Sequence, residues 1–547
     1  MKKTGINMQT AAELLVKCLI AQKSDVIYGV PGESYLSVLD ALYDQKDAIN
    51  FITTRHEGGA AFMAEAYGKF TGQPGICFVT RGPGATNASI GVHTAMQDSS
   101  PMILFIGQIG RDMREREAFQ EIDYRAFFGP IAKWVTEIDD PDRIPEIIAR
   151  AYCTAMSGRP GPVVIALPED MLREVTEKTV PPAISIAKPS PSAQDIETIQ
   201  SALQNAKRPL IMVGGGGWDR QGRLDLQQFA ESAKIPVICG FRNQDLMDNS
   251  SAQYIGDASF GKSDAMKTCI AQSDLILVIN QRFGEVVTDG WELFDLPTPT
   301  QKIIHTHISP DELGKVYQCD THINSCPNIL VSQLLYCNIN CQWAEWMNEC
   351  RTGYHDARQL PETIGAVNPA QICDALNGLL DNDAIITNGA GNFAIWHSKY
   401  LNFNHNRRLI APQSGAMGAG FPSAIAMKSI HPKRQVICFA GDGDFQMTCN
   451  ELGTAMQNDL KPVVIIFNNG SYGTIRMHQE GKYANRISGT ELQNPNFKDI
   501  SNAYGFDYQL VTKTSQFITA FQKVSEQGGI IELTIDIRDI APNKRLG

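Results

Sequence analysis

The fold is decided by the stretch Gln435-Val-Ile-Cys-Phe-Ala-Gly-Asp-Gly443 together with a second one, Pro462-Val-Val-Ile-Ile-Phe-Asn-Asn469. Each begins with a continuous apolar run that is rich in β-branched residues, a pattern typical of parallel strands buried on both faces. Each run ends in residues that favour turns. Since parallel strands end at one edge of their sheet, we expect the Gly-Asp-Gly turn and the Asn pair to lie at the same edge.

Asp442 and Asn469 place a carboxylate and an amide oxygen after these two strands. Such hard oxygen ligands suit Mg²⁺, which is usually held by one or two protein oxygens together with phosphates and water. Gly441 and Gly443 would let a phosphate approach the backbone closely. A plain tight turn explains Gly-Asp-Gly alone, but two such signals after two strands favour a site for a metal ion and a diphosphate group.

Composition excludes several classes of function. The net charge is −11, and the 48 Lys and Arg residues form no basic run, which argues against a nucleic-acid-binding surface. No apolar stretch reaches the length of about 18 residues typical of a membrane span. The amino terminus lacks the apolar region of a signal peptide, so we expect a cytoplasmic protein. The 13 cysteines include no Cys-x-x-Cys pair and predict neither a disulfide framework nor a zinc site.

Helix and strand signals alternate along the chain in three units, which predicts α/β domains with doubly wound parallel sheets. The Pro- and Ser-rich stretch 181–192 and the polar stretch 338–366 are predicted to be linkers. Domains are therefore expected at residues 1–180, 193–340 and 365–547. We predict a helix over 8–21 and strands over 26–30, 51–54, 75–80, 102–106, 163–167, 236–239, 275–279, 303–307, 384–386, 435–439, 463–467 and 530–535.

The second unit contains the run Gly214-Gly-Gly-Gly217 after an apolar stretch. A dinucleotide site at a strand-to-helix turn is one interpretation. The run does not fit the Gly-x-Gly-x-x-Gly pattern, and no acidic residue follows in the expected place. A tight turn between a strand and a helix is the favoured interpretation.

The chain resembles the superfamily of thiamine-diphosphate enzymes that act on 2-oxo acids, and most of all the large subunit of acetolactate synthase. The resemblance covers nearly the whole chain and implies a pyrimidine-binding, a central and a diphosphate-binding domain. It rests on six ordered stretches: Arg55-His-Glu-Gly-Gly-Ala-Ala-Phe-Met-Ala-Glu-Ala-Tyr-Gly68, Thr80-Arg-Gly-Pro-Gly-Ala-Thr-Asn87, Ala118-Phe-Gln-Glu121, Ser157-Gly-Arg-Pro-Gly-Pro-Val163, Gly415-Ala-Met-Gly-Ala-Gly-Phe-Pro422 and the segment from Gly441 to Asn469.

The resemblance implies thiamine diphosphate and Mg²⁺ as cofactors. Asp442, Asn469 and the backbone carbonyl of Ser471 would ligate the metal. Glu57 matches the acid that activates the cofactor through N1′ of its aminopyrimidine ring. A first-turn glutamate also gains from the helix dipole, so a purely structural role for Glu57 is the alternative.

The remaining cofactor contacts are also implied by the resemblance. Gly441 and Gly443 would flank the diphosphate, with Gly391 and Asn392 cradling it through backbone and amide donors. The Gly415 carbonyl would accept a hydrogen bond from the 4′-amino group. Met417 would support the bend between the two rings, although filling a core is the more usual role of methionine.

The sequence departs from acetolactate synthases at three positions. Phe393 stands where those synthases usually have His, close to the diphosphate. Val286 and His478 stand where they have the Arg and Trp that seat the second 2-oxo acid. FAD, which the synthases bind, remains a candidate cofactor, but its glycine and histidine loop is not matched in residues 240–245 or 257–261.

Three residues are candidates for contact with the substrate. Glu33, in Gly29-Val-Pro-Gly-Glu33, is similar in position to the proton-relay Asp of pyruvate decarboxylases, and Gln120 matches a synthase-like contact. His478 is a candidate acid or base. A solvated first-turn glutamate and a structural histidine are the respective alternatives.

Together these features predict a thiamine-diphosphate- and Mg²⁺-dependent 2-oxo acid decarboxylase or carboligase that acts through a C2 carbanion and an enamine. A non-ligating decarboxylase or C–C lyase of the same family, and a non-catalytic cofactor-binding relative, are the alternatives. Because Glu57 and Asp442 belong to different domains, the resemblance implies a homodimer or homotetramer with active sites between chains. The substrate would be a small 2-oxo acid.

Overall fold

The computed structural model describes residues 8–339, 342–542 and 544–546, which form two compact units. The first unit contains the described residues up to 187, with 425–432 and 448–460. The second contains residues 188–424 and 433–447 and the described residues from 461 onward. Residues 1–7, on which the expectation about the amino terminus rests, lie outside the described residues.

The first unit is built on a parallel six-stranded sheet, in the order β3-β2-β4-β5-β7-β6, and a short antiparallel pair of β1 and β8. Its strands are β1 (Gln9–Thr10), β2 (Val26–Gly29), β3 (Asn50–Thr53), β4 (Gly75–Val79), β5 (Met102–Gln108), β6 (Trp134–Glu137), β7 (Pro162–Pro168) and β8 (Val175–Thr176). Its helices are α1 (Ala11–Ala21), α2 (Leu36–Tyr43), α3 (Glu57–Thr71), α4 (Gly82–Asp98), α5 (Tyr124–Phe128) and α6 (Ile144–Met156).

The helix predicted over residues 8–21 begins later than expected, at Ala11. Thr10 and Glu13 form a capping box, in which the side chain of each accepts a hydrogen bond from the backbone N–H of the other. Gln9 and Thr10 pair with β8 instead of extending the helix. Hydrophobic periodicity alone could not show that the helix begins at Ala11, because Thr10 is paired with β8, which is distant in the sequence.

The second unit begins with a parallel six-stranded sheet in the order β11-β10-β9-β12-β13-β14. Its strands are β9 (Pro209–Val213), β10 (Val237–Gly240), β11 (Tyr254–Ala258), β12 (Leu275–Ile279), β13 (Lys302–His307) and β14 (Thr321–Asn324). Its helices are α7 (Ala193–Asn205), α8 (Arg220–Ala233), α9 (Asp264–Gln272), α10 (Pro327–Leu334) and α11 (Ala344–Ala357).

A third parallel six-stranded sheet has the order β16-β15-β17-β18-β20-β19. Its strands are β15 (Ile385–Asn388), β16 (Arg408–Ile410), β17 (Val436–Gly441), β18 (Val463–Asn468), β19 (Tyr508–Val511) and β20 (Gly529–Thr534). The helices of this part of the chain are α12 (Pro369–Leu379), α13 (Phe393–Tyr400), α14 (Gly420–Ile430), α15 (Asp442–Gln446), α16 (Leu452–Gln457), α17 (Gly473–Lys482), α18 (Phe497–Ala503) and α19 (Phe517–Val524). Three sheets of this kind confirm the predicted fold class.

The stretch 338–366, predicted to be a linker, contains the well-packed helix α11, so that prediction was wrong. Trp346, Met347 and Cys350 of α11 are buried. The Trp346 indole N–H donates to the Pro209 carbonyl at 2.9 Å, and Cys350 forms a disulfide with Cys269 of α9. The helix was not predicted because the stretch is mostly polar. Only one face of α11 packs against the central core, so few of its residues are apolar.

No helix among the described residues is both long enough and apolar enough to cross a membrane.

Each sheet has a point where the strand order reverses direction, and ligands bind at such points in doubly wound folds. In the first sheet this point lies between β2 and β4, and in the third it lies between β15 and β17. The loops that follow these strands contain Glu33 and Arg81 in the first sheet and Gly391 and Asp442 in the third. These loops are therefore the expected positions of a ligand-binding site.

Candidate active site

Glu57 is the first residue of α3 and is half-buried. The Asn87 side-chain amide donates a 2.9 Å hydrogen bond to Glu57 Oε2. A β-carbon added to Gly84 would lie 3.4 Å from Glu57 Oε1, so the first turn of α4 passes directly beside the carboxylate. Within the first unit, Gly84 and Asn87 lie on one helix and together fix the position of the Glu57 carboxylate.

An ion pair occupies the strand-order reversal of the first sheet. Arg81 Nη2 lies 2.6 Å from Glu33 Oε1, and Arg81 Nη1 lies 3.4 Å from Glu169 Oε2. The Arg81 side chain is 9% exposed, whereas the Glu33 side chain is 67% exposed. Sequence reasoning found Glu33 but missed Arg81, although Arg81 lies inside a quoted motif next to its glycines.

Gln120 also lies near this reversal. Its backbone has a φ of 66°, and its carbonyl oxygen would lie 2.7 Å from a β-carbon added to Gly82. Phe119, beside it, presents its ring to the Arg81 guanidinium at 5.9 Å. The structure therefore brings Glu33 and Gln120 into one neighbourhood through Arg81 and Gly82.

Asp442 is buried at the end of β17, where its carboxylate joins two loops. Its Oδ2 accepts hydrogen bonds from the Gly470 backbone N–H at 3.0 Å and from the Asn494 side-chain amide at 2.6 Å. Burial raises the pKa of the Asp442 carboxyl, and the hydrogen bonds from Asn494 and the backbone oppose that rise. Asn494 also donates to Asn468 Oδ1 at 2.9 Å. Sequence reasoning missed Asn494, which lies in an ordinary polar loop.

Asn469 and Ser471 lie on the loop that follows β18. The Ser471 backbone N–H donates to Asn469 Oδ1 at 3.1 Å, and the Ser471 hydroxyl donates to the Thr490 carbonyl at 2.8 Å. Because Gly470 is bonded to Asp442, the three predicted metal ligands belong to one connected loop system. This arrangement agrees with the prediction that strands β17 and β18 end at one edge of a sheet.

Gly391 and Asn392 lie between β15 and α13, beside the Gly441 turn. The Asn392 backbone N–H donates to Thr474 Oγ1 at 3.0 Å, and its side-chain Nδ2 lies 3.2 Å from Met477 Sδ. Asn392 therefore ties this loop to α17, and a diphosphate bound through its donors would have to exchange these bonds. The Phe393 ring packs against Gly391 and Gly441. A β-carbon added to either glycine would lie about 3 Å from the nearest ring atom.

The segment with Gly415 and Met417 forms a turn before α14. The Gly415 N–H donates to the Pro412 carbonyl at 3.0 Å, and Gly415 is exposed with a φ of 66°. Met417 is half-buried, so it is not simply core filler. The adjacent Gly418 N–H donates to Asp444 Oδ1 at 2.8 Å. Burial raises the pKa of the Asp444 carboxyl to about 6, against the opposing effect of its backbone hydrogen bonds.

The chemistry of these groups fits the implied cofactors. Asp442, Asn469 and Ser471 offer a carboxylate, an amide and a carbonyl oxygen, the hard donors that Mg²⁺ prefers. Gly391 and Gly441 have no side chains of their own and precede the amino ends of α13 and α15, a position that favours a diphosphate, with the Phe393 ring packed beside both glycines. The residues of the second unit therefore fit a metal-bound diphosphate.

The central sheet does not fit a flavin dinucleotide at its own strand-order reversal, between β9 and β12. The Gly215 N–H donates to Asn243 Oδ1, and the Gly216 carbonyl accepts from Asn280 Nδ2. Gln281 Oε1 fills the space beside Gly214 and Gly240, 1.7 Å from where a β-carbon of either would lie. Side chains thus occupy the crevice and bond the glycine loop, as expected for a structural turn.

Val286 is partly buried and His478 is exposed. The Val286 side chain packs against the central core, and its carbonyl accepts a 2.5 Å hydrogen bond from Lys262 Nζ. Lys262 is also paired with Asp289 at 2.6 Å, and its side chain is 1% exposed. Lys262 therefore holds the loop and offers no free cation in place of an arginine. His478 is exposed on α17.

Three family models match the chain in the order of its sheets. They describe the thiamine pyrophosphate enzyme N-terminal TPP binding domain at residues 9–127, the central domain at 196–334 and the C-terminal TPP binding domain at 389–534. With the fold and the two groups of site residues described above, these matches show that the chain belongs to the thiamine pyrophosphate (thiamine diphosphate) enzyme family.

Within that family the chain is similar to acetolactate synthase large subunits. It is 31% identical to that of Corynebacterium glutamicum over 536 residues, which cover 94% of this chain and 85% of the relative. It is 33% identical to that of Lactococcus lactis over 527 residues, covering 93% and 89%, respectively. The protein is therefore a thiamine-diphosphate-dependent enzyme that resembles acetolactate synthase, and the suspected family is confirmed.

Proposed function

We propose that this enzyme binds thiamine diphosphate with Mg²⁺ and decarboxylates a 2-oxo acid. The observation that carries the proposal is the presence of both halves of the cofactor site: the Glu57 carboxylate held by Asn87, and the Asp442 carboxylate joined to the loop of Asn469. When bound, thiamine diphosphate supplies a carbon nucleophile that adds to the substrate carbonyl and accepts the charge left when CO₂ departs.

Glu57 would hold a proton at N1′ of the aminopyrimidine ring, which increases the basicity of the neighbouring amino group. The hydrogen bond from Asn87 and the contact with Gly84 orient the carboxylate for this purpose. Asp442, Asn469 and the Ser471 carbonyl would hold Mg²⁺ against the diphosphate. A non-catalytic relative would have no need for both sets of residues.

The substrate would approach the group formed by Glu33, Arg81 and Gln120. Arg81 offers a guanidinium that could meet the carboxylate of a 2-oxo acid, and the exposed Glu33 is the side chain that would have to move aside. Gln120 would contact the substrate through its amide. His478, which is exposed in a single chain, would act as an acid or base only if another chain or a ligand covers it.

We also propose that each active site forms between two copies of the chain, in a homodimer or homotetramer. The support for this is that Glu57 belongs to the first unit and Asp442 to the second, and that closed two-fold assemblies are the commonest oligomers. FAD is not part of the proposal, because the glycine loop of the central sheet is already bonded by asparagine side chains.

A second candidate function, favoured by Val286, is decarboxylation without ligation to another 2-oxo acid. An arginine can form a charge-assisted, bidentate pair with the carboxylate of an acceptor, and valine cannot. The nearby Lys262 is paired with Asp289 and is not available to replace the arginine. The part of the substrate that remains after CO₂ departs would then take up a proton or be joined to a neutral aldehyde.

With pyruvate as the only substrate, we expect acetaldehyde, or no product, instead of rapid acetolactate formation. The physical reason is that the carboxylate of a second pyruvate would lack a charged partner near Val286. Product analysis by chromatography distinguishes these outcomes. Acetolactate formed with a kcat/KM of about 10⁴ M⁻¹s⁻¹ or more, the range of ordinary enzymes, would refute the non-ligating function and favour a plain acetolactate synthase.

A further inference from the structure

Asp444, immediately after the Gly-Asp-Gly turn, is a buried carboxylate that connects two separate loops. It is 3% exposed. Its Oδ1 accepts hydrogen bonds from the Ala390 backbone N–H at 3.0 Å and from the Gly418 backbone N–H at 2.8 Å. The 389–392 loop and the 415–418 loop are therefore joined through a single oxygen atom.

The backbone around Asp444 is packed too closely to admit a β-carbon at Gly389 or Gly420. A β-carbon added to Gly389 would lie 2.1 Å from Asp444 Oδ1 and 2.3 Å from Oδ2. A β-carbon added to Gly420 would lie 2.6 Å from the Gly389 nitrogen. The glycines allow the loops to meet, and the carboxylate fills the space beside them.

Arg242, in the loop after β10, acts on the same loops. Its guanidinium donates to the Gly389 carbonyl at 3.0 Å and also to the Pro412 carbonyl. The Gly389–Ala390 segment is thus held by Arg242 through its carbonyl and by Asp444 through its N–H. Both loops have fixed polar partners within the second unit.

We propose that Asp444 is a positioning residue that orders the 389–392 and 415–418 loops together for cofactor binding. This inference rests on the proposed function and on the cofactor contacts that the family resemblance implies, with Gly391 and Asn392 at the diphosphate and Gly415 and Met417 at the aminopyrimidine. The role differs from that proposed for Asp442, because Asp444 would act by holding two backbone loops together and not as a ligand of Mg²⁺.

The physical reason is the conformational freedom of glycine-rich backbone. A loop without side chains loses much conformational freedom when it orders, so an unrestrained loop binds its ligand less tightly. A carboxylate that accepts one N–H from each loop removes part of this freedom before the cofactor arrives. Because Asp444 Oδ1 accepts both hydrogen bonds, a shift of either loop also disturbs the other loop.

The test compares cofactor affinity in variants that remove or retain the accepting oxygen. Asp444→Ala removes it, and Asp444→Leu also removes it while filling a similar volume, which guards against a folding failure of the first variant. Asp444→Asn retains an oxygen that can accept both bonds. Titration with thiamine diphosphate at fixed Mg²⁺, followed by tryptophan fluorescence, gives the dissociation constants.

We expect the Ala and Leu variants to bind thiamine diphosphate about 10- to 100-fold more weakly, the loss typical of residues that support direct ligands. Asp444→Asn should retain most of the affinity. Hydrogen–deuterium exchange of the cofactor-free protein should be faster at residues 389–392 and 415–418 in the Ala and Leu variants. That second readout does not depend on the activity of the loaded enzyme.

Asp539→Ala is the matched control. Asp539 is also a buried carboxylate of the second unit, and it accepts backbone N–H bonds from Ile364 and Gly365 at 3.0 and 2.7 Å. Its loss should lower stability without weakening cofactor binding. Wild-type affinity for thiamine diphosphate in Asp444→Ala or Asp444→Leu would overturn this inference but not the proposed function. An equal loss of affinity in Asp539→Ala would do the same. A wild-type protein that does not bind thiamine diphosphate would overturn the proposed function as well.

Discussion

Glu57→Gln should lower the turnover of the 2-oxo acid by about 100-fold, within the range that acid–base groups contribute, and leave cofactor affinity nearly unchanged. Glutamine preserves the shape of the side chain and can still pair with Asn87. It cannot give or take the proton at N1′ of the aminopyrimidine. Steady-state kinetics at saturating thiamine diphosphate, together with a cofactor titration, separate the two effects.

Glu146→Gln is the matched control for this substitution. Glu146 is likewise a first-turn glutamate of a helix in the first unit, α6, and it pairs with Arg143 at 2.8 Å. If Glu57 served only the helix dipole, both variants would show the same small loss of stability and full activity. A Glu57→Gln enzyme with wild-type turnover would refute its assignment as the activating acid.

Asp442→Ala should weaken thiamine diphosphate binding by more than about 100-fold. Removal of a group that only supports a metal ligand typically costs about 10- to 100-fold, and Asp442 would be a ligand itself. The substitution removes a charged metal ligand and also the acceptor for Gly470 and Asn494. The diphosphate charge would then be poorly neutralised. Fluorescence titration with thiamine diphosphate over a range of Mg²⁺ concentrations measures the loss.

Asp499→Ala is a suitable control for charge and general stability, since Asp499 is an exposed first-turn residue of α18 in the same unit. It should bind thiamine diphosphate as the wild type does. The metal assignment would be wrong if Asp442→Ala kept near-normal affinity in the presence of a chelator of Mg²⁺.

Much of the fold could be predicted because buried parallel strands have a simple sequence pattern. The strand predicted over residues 275–279 is β12 with the same bounds. The strands predicted over 435–439 and 463–467 are β17 and β18. Short edge strands such as β16 were not predicted, since three residues give no periodicity. The helix α11 was missed because its apolar residues are few and its partners lie far away in the chain.

The site was predictable where chemistry and position coincide in a short motif. Asp442 and Asn469 follow adjacent strands, so the rule that parallel strands end at one edge was enough to bring them together. Asn494 was not predictable, because it reaches Asp442 across 52 residues from an unremarkable loop. The pairing of Arg81 with Glu33 spans 48 residues and likewise required the fold.

The most direct test of the central claim is CO₂ release from a panel of 2-oxo acids by the purified enzyme, measured with and without an aldehyde acceptor. We expect CO₂ release from at least one 2-oxo acid, and only when both thiamine diphosphate and Mg²⁺ are present. Release that continues after both cofactors are removed would contradict it. So would the absence of release from every 2-oxo acid by an enzyme with thiamine diphosphate demonstrably bound.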